Sequence, residues 1–266
     1  MNLTSPSQVK SWCIANGFHP NRTLGQNFLI DQNALVSILD AAEPVRGLRV
    51  LEVGPGLGVL TEGLLARGAL VTAVEKDPVL AARLAEALGR PAALAVVTGD
   101  ALDLAVEGKL DGFDVLVSNL PYASGTRILL ELASRPAAPK AMTVLVQSEV
   151  AERLAAAPGS KARGLAGVWA QLDYDVHPVR AIKASCFWPR PEVDSTVVRL
   201  DRHAAPALDA EERASFHRVT KRAFEHRRKQ LGSIFKGLVE SSARAEELSL
   251  DDWITLAKGL KAHEDA

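Results

Sequence analysis

The feature that most constrains this chain is a rhythm. Between residues 48 and 156, short apolar and β-branched runs alternate with stretches of helical periodicity. LRVLEV (48–53), LVTAVE (70–75), ALAVVTGD (93–100), FDVLVSN (113–119) and AMTVLVQ (141–147) read as strands. VLTEGLLARG (59–68), PVLAARLAEALG (78–89) and EVAERLAA (149–156) read as helices, the second ending at Gly89. Strand and helix in strict turn predict crossover units, hence an α/β fold with a mostly parallel sheet and helices on both faces. Strands buried on both faces explain why these runs are continuously apolar rather than alternating. STVVRL (195–200) is a late strand that can pair antiparallel.

The composition shifts after residue 200. DRHAAPALDA (201–210) has no strand pattern and reads as a linker. Beyond it the chain is helical and basic: residues 211–236 hold eight Lys/Arg against three Glu, in a protein whose net charge is −1. A uniformly basic nucleic-acid binder is excluded, and a local positive block is not. Arg222, Arg227, Arg228 and Lys229 are clustered as a phosphate backbone rewards, and Lys161 and Arg163 of APGSKARG are further candidate contacts of that kind. The two cysteines, Cys13 and Cys186, stand far apart without metal-ligand spacing. They read as reduced thiols, and no metal is expected. No signal-peptide layout and no apolar run of about 18 residues is present, so a soluble, cytoplasmic protein without membrane contact is expected.

Gly54-Pro55-Gly56-Leu57-Gly58 lies between a strand and a helix, where glycines permit a tight turn and close approach of a ligand to backbone N–H groups. The spacing departs from the dinucleotide fingerprint, which wants its third glycine one residue later. Glu75 ends the next strand, where a carboxylate can accept from ribose hydroxyls, and Asp100 ends the strand after that, close to where an adenine would lie. Three such features on successive strand ends indicate nucleoside binding, with NAD(H) and S-adenosylmethionine as candidates.

The next strand runs into Asn119-Leu120-Pro121-Tyr122. An exocyclic amine on a base is a poor nucleophile because its lone pair is delocalised into the ring. Two acceptors aimed at its hydrogens favour a tetrahedral tilt. The Asn119 side-chain oxygen is one and the Leu120 carbonyl the other, with Pro121 keeping Leu120 out of the helical region and removing a competing donor. Tyr122 can stack on the base, a contact worth roughly 1–3 kcal/mol. With a sulfonium methyl donor, positioning and electrostatics suffice.

Together LEVGPGLGVLT, VEKD, GDAL, SNLPY and CFWPRPEVDSTVVRL, with TLGQNFLID near the start, resemble the ribosomal RNA adenine N6-dimethyltransferases over residues 20 to 235. The resemblance implies a Rossmann-like class I methyltransferase with a seven-stranded, mostly parallel sheet and a small helical C-terminal domain. It implies S-adenosylmethionine as methyl donor, used twice on one amine. The expected domains are 1–200, including a cofactor-closing segment at about 1–35, then the linker and a helical RNA-binding domain at 211–266. Gln26, Asn27 and Leu29 would close over the cofactor, Gly54, Gly56 and Gly58 would form its loop, and Glu75, Asp100 and Asn119 would complete its site. Asn119 to Tyr122 would hold the target amine, with Phe187 of CFWPRP as a second aromatic; as a ring on a stiff loop, Phe187 reads equally as core. The Leu of SNLPY, APGSKARG and FEHRRKQL favour the branch that dimethylates two adjacent adenines in the 3′-terminal hairpin loop of small-subunit rRNA, on an immature subunit and as a monomer. A large-subunit branch linked to antibiotic resistance and a mainly non-catalytic assembly factor are the alternatives. Three places depart from the family's usual wording: Ala123-Ser124-Gly125 after the tyrosine, Ser148 where a lysine is usual, and Leu165-Ala166-Gly167. They are expected to alter the rim that meets RNA.

Overall fold

The computed structural model describes residues 1–21 and 25–264. Thr23 and Leu24 of the TLGQNFLID segment lie outside the described residues. The chain divides into two compact units: residues 1–151 with 177–202, and residues 152–176 with 203–266.

In the first unit, α1 (Pro6–Ala15), β1 (Phe28–Leu29) and α2 (Gln32–Ala42) precede the alternation. That alternation is β2 (Arg49–Val53), α3 (Val59–Ala66), β3 (Leu70–Glu75), α4 (Pro78–Ala87), β4 (Leu94–Thr98), α5 (Ala101–Val106), β5 (Val115–Asn119), α6 (Gly125–Ala133) and β6 (Ala141–Gln147). Then α7 (Ser148–Ala155) runs into the second unit and α8 (Leu165–Asp173) lies within it. The chain returns along β7 (Tyr174–Ile182), β8 (Phe187–Trp188) and β9 (Ser195–Arg202). Seven strands form one sheet in the order β4-β3-β2-β5-β6-β9-β7, and β1 pairs antiparallel with β8. The ladders from β4 to β6 are parallel, and β9 runs antiparallel to β6. This is the class I Rossmann-like sheet.

Both faces of the sheet are covered. Val50 and Val115, in register on neighbouring strands, join a buried cluster with Ile38 and Leu39 of α2 and Leu64 of α3. Their neighbours Leu51, Leu116 and Met142, also in register, point the other way by the two-residue period and are buried as well. That two-sided burial accounts for the continuous apolar runs. Helix starts follow local chemistry: Asp31, Asp77 and Asp100 each accept backbone N–H groups at the N-termini of α2, α4 and α5.

Strand β7 had no sequence reading. It lies at the end of the strand order, carries Pro178, and is largely exposed in its middle. Proline and weak patterning belong on an edge strand, and both hide it from a periodicity search.

The second unit has its own core. Val168 and Leu172 of α8 pack with Phe216, Val219 and Ala223 of α9 (Ala210–Glu225) and with Trp253 and Ala257 of α11 (Leu250–Glu264); the single-turn α10 (Leu231–Ile234) adds Leu231 and Ile234. Residues 152–176 therefore cluster with the basic tail, making the helical unit larger than the tail alone. Asp209 and Glu212 form a capping box that starts α9. Arg213 donates twice to the buried Asp173 carboxylate, both bonds at 2.6 Å.

Helix α8 crosses the end of α7 at Gly167, where a Cβ would lie 2.3 Å from the Arg153 carbonyl oxygen. Gly167→Ala is therefore expected to destabilise the protein by about 1–3 kcal/mol, as overpacking does. Chemical denaturation should show a lower midpoint for that variant, and Ala166→Gly, beside it, should cost no more than a helix-propensity loss of about 1 kcal/mol.

Candidate active site

Strand order reverses at β2 and β5. Strands β3 and β4 extend to one side of β2, and β6 extends from β5 on the other, so the chain diverges where these two carboxyl ends lie side by side. Open α/β sheets bind ligands at such a switch point. Here it opens into a cavity of about 260 Å³. Its wall includes Gln26, Asn27, Leu29, Gly54, Gly56, Glu75, Asp100 and Asn119 to Tyr122, so the structure brings most of the sequence candidates together.

Gly54 and Gly56 have φ of 67° and 58°, a left-handed backbone that favours glycine. A Cβ at Gly56 would meet the Phe28 ring at 3.1 Å, so glycine also lets the loop pass under that ring. Gly58 is absent from the cavity wall. It is the N-cap of α3 with φ 91°, and a Cβ there would lie 2.5 Å from Leu84 Cδ1, which makes it a packing residue.

Glu75 is buried, and its Oε2 and Oε1 accept the Gly56 and Asp77 N–H groups at 3.1 and 2.9 Å. Desolvation dominates and pushes its carboxyl up, against those hydrogen bonds. The carboxylate keeps acceptor capacity toward the cavity. Asp100 accepts from the Leu102 N–H at 2.8 Å and from Lys76 Nζ at 2.6 Å, and the lysine contact holds it below the usual carboxylate range. Gln26 Nε2 donates to Asp77 Oδ2 at 3.1 Å, tying the N-terminal segment to the start of α4.

The Asn119 amide nitrogen donates to the Asn27 carbonyl at 3.2 Å, which leaves its oxygen as the end available to a donor. The Leu120 N–H donates to the Leu145 carbonyl at 3.1 Å, and the Pro121 carbonyl accepts the Gly125 N–H at 2.7 Å, fixing the turn at both ends. The Tyr122 hydroxyl shares a 2.7 Å hydrogen bond with the buried Ser195, while burial pushes the phenol up. Phe187 is not on the cavity wall: it is 2% exposed, pairs with Leu29 and belongs to the main core. Of the two readings of that ring, the core one matches its position here.

The basic candidates separate by environment. Arg163 is a correction. It is 1% exposed, and its Nη1 donates to the Ala156 carbonyl at 2.6 Å and to Gln171 Oε1 at 2.9 Å, so the guanidinium ties α8 to the preceding turn and does not face solvent. Its place in the basic-looking APGSKARG concealed this. Arg227 lies 3.5 Å from Glu246 and donates to the Lys161 carbonyl. Lys161, Arg222, Arg228 and Lys229 are exposed. Among the described residues no group of His, Cys, Asp and Glu is arranged to hold a metal, and no helix is long and apolar enough to cross a membrane.

Sequence reasoning missed Glu52. It sits within the buried strand β2, lines the cavity and accepts from Thr61 Oγ1 at 2.7 Å. Desolvation, with the nearby Glu75 charge adding to it, pushes its carboxyl up to about 8 against the Thr61 bond. A lone acid in LRVLEV was the available signal, since unpaired carboxylates are almost never fully buried without a reason.

The family pattern described as "Ribosomal RNA adenine dimethylase" matches residues 17–258. The chain belongs to that family. It is 41% identical to the ribosomal RNA small subunit methyltransferase A of Cereibacter sphaeroides, over 92% of this chain and 93% of the relative. It is 37% identical to the protein of the same name from Phenylobacterium zucineum, over 100% and 97%. In fold it is similar to a dimethyladenosine transferase from Plasmodium falciparum, with TM-score 0.78 and 23% identity over 88% of this chain and 97% of that one. The 23S rRNA methyltransferase ErmE gives TM-score 0.69 and 26% identity over 88% and 100%.

Glu52 yields a pH prediction. In the fold it keeps its proton to about pH 8, whereas an unfolded glutamate loses it near its ordinary 4.5. The native state then binds the extra proton through this window, so stability falls as pH rises across it. Glu52→Gln should remove that dependence. Urea unfolding at pH 5 and pH 8 should show the variant gaining on the unmodified protein at the higher pH, and an unchanged difference would contradict the assignment.

Proposed function

We infer that this family member transfers methyl groups from S-adenosylmethionine to N6 of two adjacent adenines in the 3′-terminal hairpin loop of small-subunit rRNA. Its substrate is an immature subunit, its place is the cytoplasm, and it contributes to ribosome biogenesis. The observation that carries the chemistry is the Asn119–Asn27 hydrogen bond, which orients one acceptor at the switch-point cavity. Identity of 41% to small-subunit enzymes, against 26% to the large-subunit ErmE, favours the small-subunit substrate.

The cavity fits the cofactor. A buried carboxylate with spare lone pairs, a glycine loop that a Cβ would obstruct, and Asp100 at an adenine-compatible strand end match ribose, backbone-approaching and base moieties. When bound, S-adenosylmethionine supplies a methyl group already activated by its sulfonium. The chain's own task is to prepare the amine. Asn119 Oδ1 and the Leu120 carbonyl accept the amine hydrogens, draw the nitrogen lone pair out of conjugation and aim it. Tyr122, anchored through Ser195, lies against the base and sets its plane. Such an adenine must leave its stack, which costs a few kcal/mol and least in a loop. Each transfer breaks the sulfonium–methyl bond, leaves a neutral thioether and forms a cationic nitrogen that releases one proton to solvent; after the first, one hydrogen remains on the nitrogen, so one of the two acceptors still orients it for the second.

The decisive measurement offers labelled S-adenosylmethionine with unmethylated small subunits or with large-subunit RNA and identifies the product by mass. N6,N6-dimethyladenosine confined to small-subunit RNA is expected. Label in large-subunit RNA would move the chain to the other branch. Glu75→Ala should weaken cofactor binding about 10- to 100-fold, as loss of charged hydrogen bonds does, with little change in RNA affinity. Equal losses of both would indicate misfolding.

A further inference from the structure

A second recess, of about 100 Å³, lies against the cavity at the switch point. The two share Leu3, Gly56, Leu57 and Leu80 as lining residues. This common wall stands at the ribose end, because the Gly56 N–H donates to Glu75, the acid assigned to the ribose hydroxyls. Beyond it the recess is mostly apolar, lined by Trp12 of α1 and by Leu84 and Leu88 of α4. Arg83 of α4 holds that far side together: its guanidinium lies 5.6 Å from the Trp12 ring centroid and donates to Asn16 Oδ1.

Gly56 brings no side chain to the wall, and Leu57 and Leu80 are placed by the glycine loop and α4. Leu3 comes from another part of the chain. It precedes α1, ahead of the residues 17–258 that carry the family pattern, and it is 8% exposed in a cluster with Phe28, Leu57 and Leu80. A hydrogen-bonded turn sets it there. Asn2 Oδ1 accepts the Thr4 N–H at 3.0 Å, the Asn2 carbonyl accepts the Ser5 N–H at 3.1 Å, and Gln8 Oε1 accepts from the Asn2 nitrogen at 2.7 Å.

We propose that Leu3 is a specificity-determining residue of the cofactor site: its side chain closes the ribose end and restricts the site to cofactors with unsubstituted ribose hydroxyls. A leucine packed against two others has no room to yield to an added ring unless the turn that holds it shifts. Truncation to alanine removes three carbons from the partition and joins the two recesses. The space gained has the apolar lining that suits one aromatic ring, as apolar cavities of about 150 Å³ take benzene. The assignment rests on the reading of S-adenosylmethionine as the cofactor.

The probe is S-adenosylhomocysteine with an anthraniloyl ester on the ribose 2′ or 3′ oxygen, its binding to the full-length protein read by fluorescence and that of plain S-adenosylhomocysteine by calorimetry. The unmodified protein is expected to bind the ester at least about tenfold more weakly than the parent, and Leu3→Ala to bring the two within about threefold, the scale on which a pocket wall discriminates. Leu3→Met, similar in volume, should keep the tenfold gap. Val9→Ala removes volume from the same apolar cluster without touching either recess, and should keep it too. Equal affinity of the unmodified protein for ester and parent would overturn the proposal. Admission of the ester by Val9→Ala would do the same, since loosening of the N-terminal segment would then explain it. If Leu3→Ala binds the parent and still rejects the ester, the wall is refuted while the cofactor reading stands. Should Leu3→Ala lose the parent as well, Leu3→Val decides in its place: a narrowed gap supports the wall and an unchanged gap refutes it. Failure of the unmodified protein to bind S-adenosylhomocysteine at all would remove the cofactor reading and this assignment together.

Discussion

The parallel pairing of β2 with β5 is the constraint on which the site depends. Val50 faces Val115 and Leu51 faces Leu116, so the glycine turn and the Asn-Leu-Pro-Tyr turn leave the sheet side by side. These segments are more than sixty residues apart in sequence, and no local preference brings them together. Sheet register does. A slip by one residue would reverse the faces of β5, sending Val115 and Val117 away from the α2–α3 cluster, and the hydrophobic cost of that error holds the register. Ser118 reinforces it, its hydroxyl donating to the Val53 carbonyl at 2.6 Å across the strand pair.

Charge in the cavity is arranged around that junction. Glu52 and Glu75 are two buried acids, the charge of Glu75 adding to the burial that raises the proton affinity of Glu52, and the loop between them supplies the N–H that steadies Glu75. Burying an acid costs free energy unless hydrogen bonds or a proton compensate, and here Thr61 and a raised proton affinity serve Glu52 while backbone N–H groups serve Glu75. The cost makes physical sense where the natural occupant is a cation that also carries hydroxyl donors, as S-adenosylmethionine does.

Much of this was legible in the sequence, for identifiable reasons. The five parallel strands were readable because two-sided burial writes continuous apolar runs. That Asn119, Glu75 and Asp100 would meet at one cavity was readable because they stand at strand ends beside the switch point of an α/β sheet. What failed to show was whatever depends on the partner of a residue rather than on its own type. Arg163 looks like any exposed cation until Gln171 and the Ala156 carbonyl are seen to hold it inside. Gly58 looks like a ligand-facing glycine until Leu84 is found against it. Strand β7 lacked a pattern because an edge strand has only part of its surface to bury.

The places where this chain departs from the family's usual wording have structural causes of the same kind. Gly125 opens α6 where a Cβ would lie 2.8 Å from Leu120 Cβ, while its N–H caps the Pro121 carbonyl. Its lack of a side chain thus lets the helix begin directly behind the turn that presents the proposed acceptors. Ser148 donates its N–H to the Asp194 carbonyl and shares a 3.0 Å hydrogen bond with Thr196, stitching the end of β6 to β9 next to Ser195 and hence to the Tyr122 hydroxyl. Gly167 allows the close crossing of α8 over α7. At Gly125 and Gly167, both buried, the missing side chain permits close backbone approach, and at Ser148 the hydroxyl ties two strands together. Two of the three supports end on residues that hold the proposed target base.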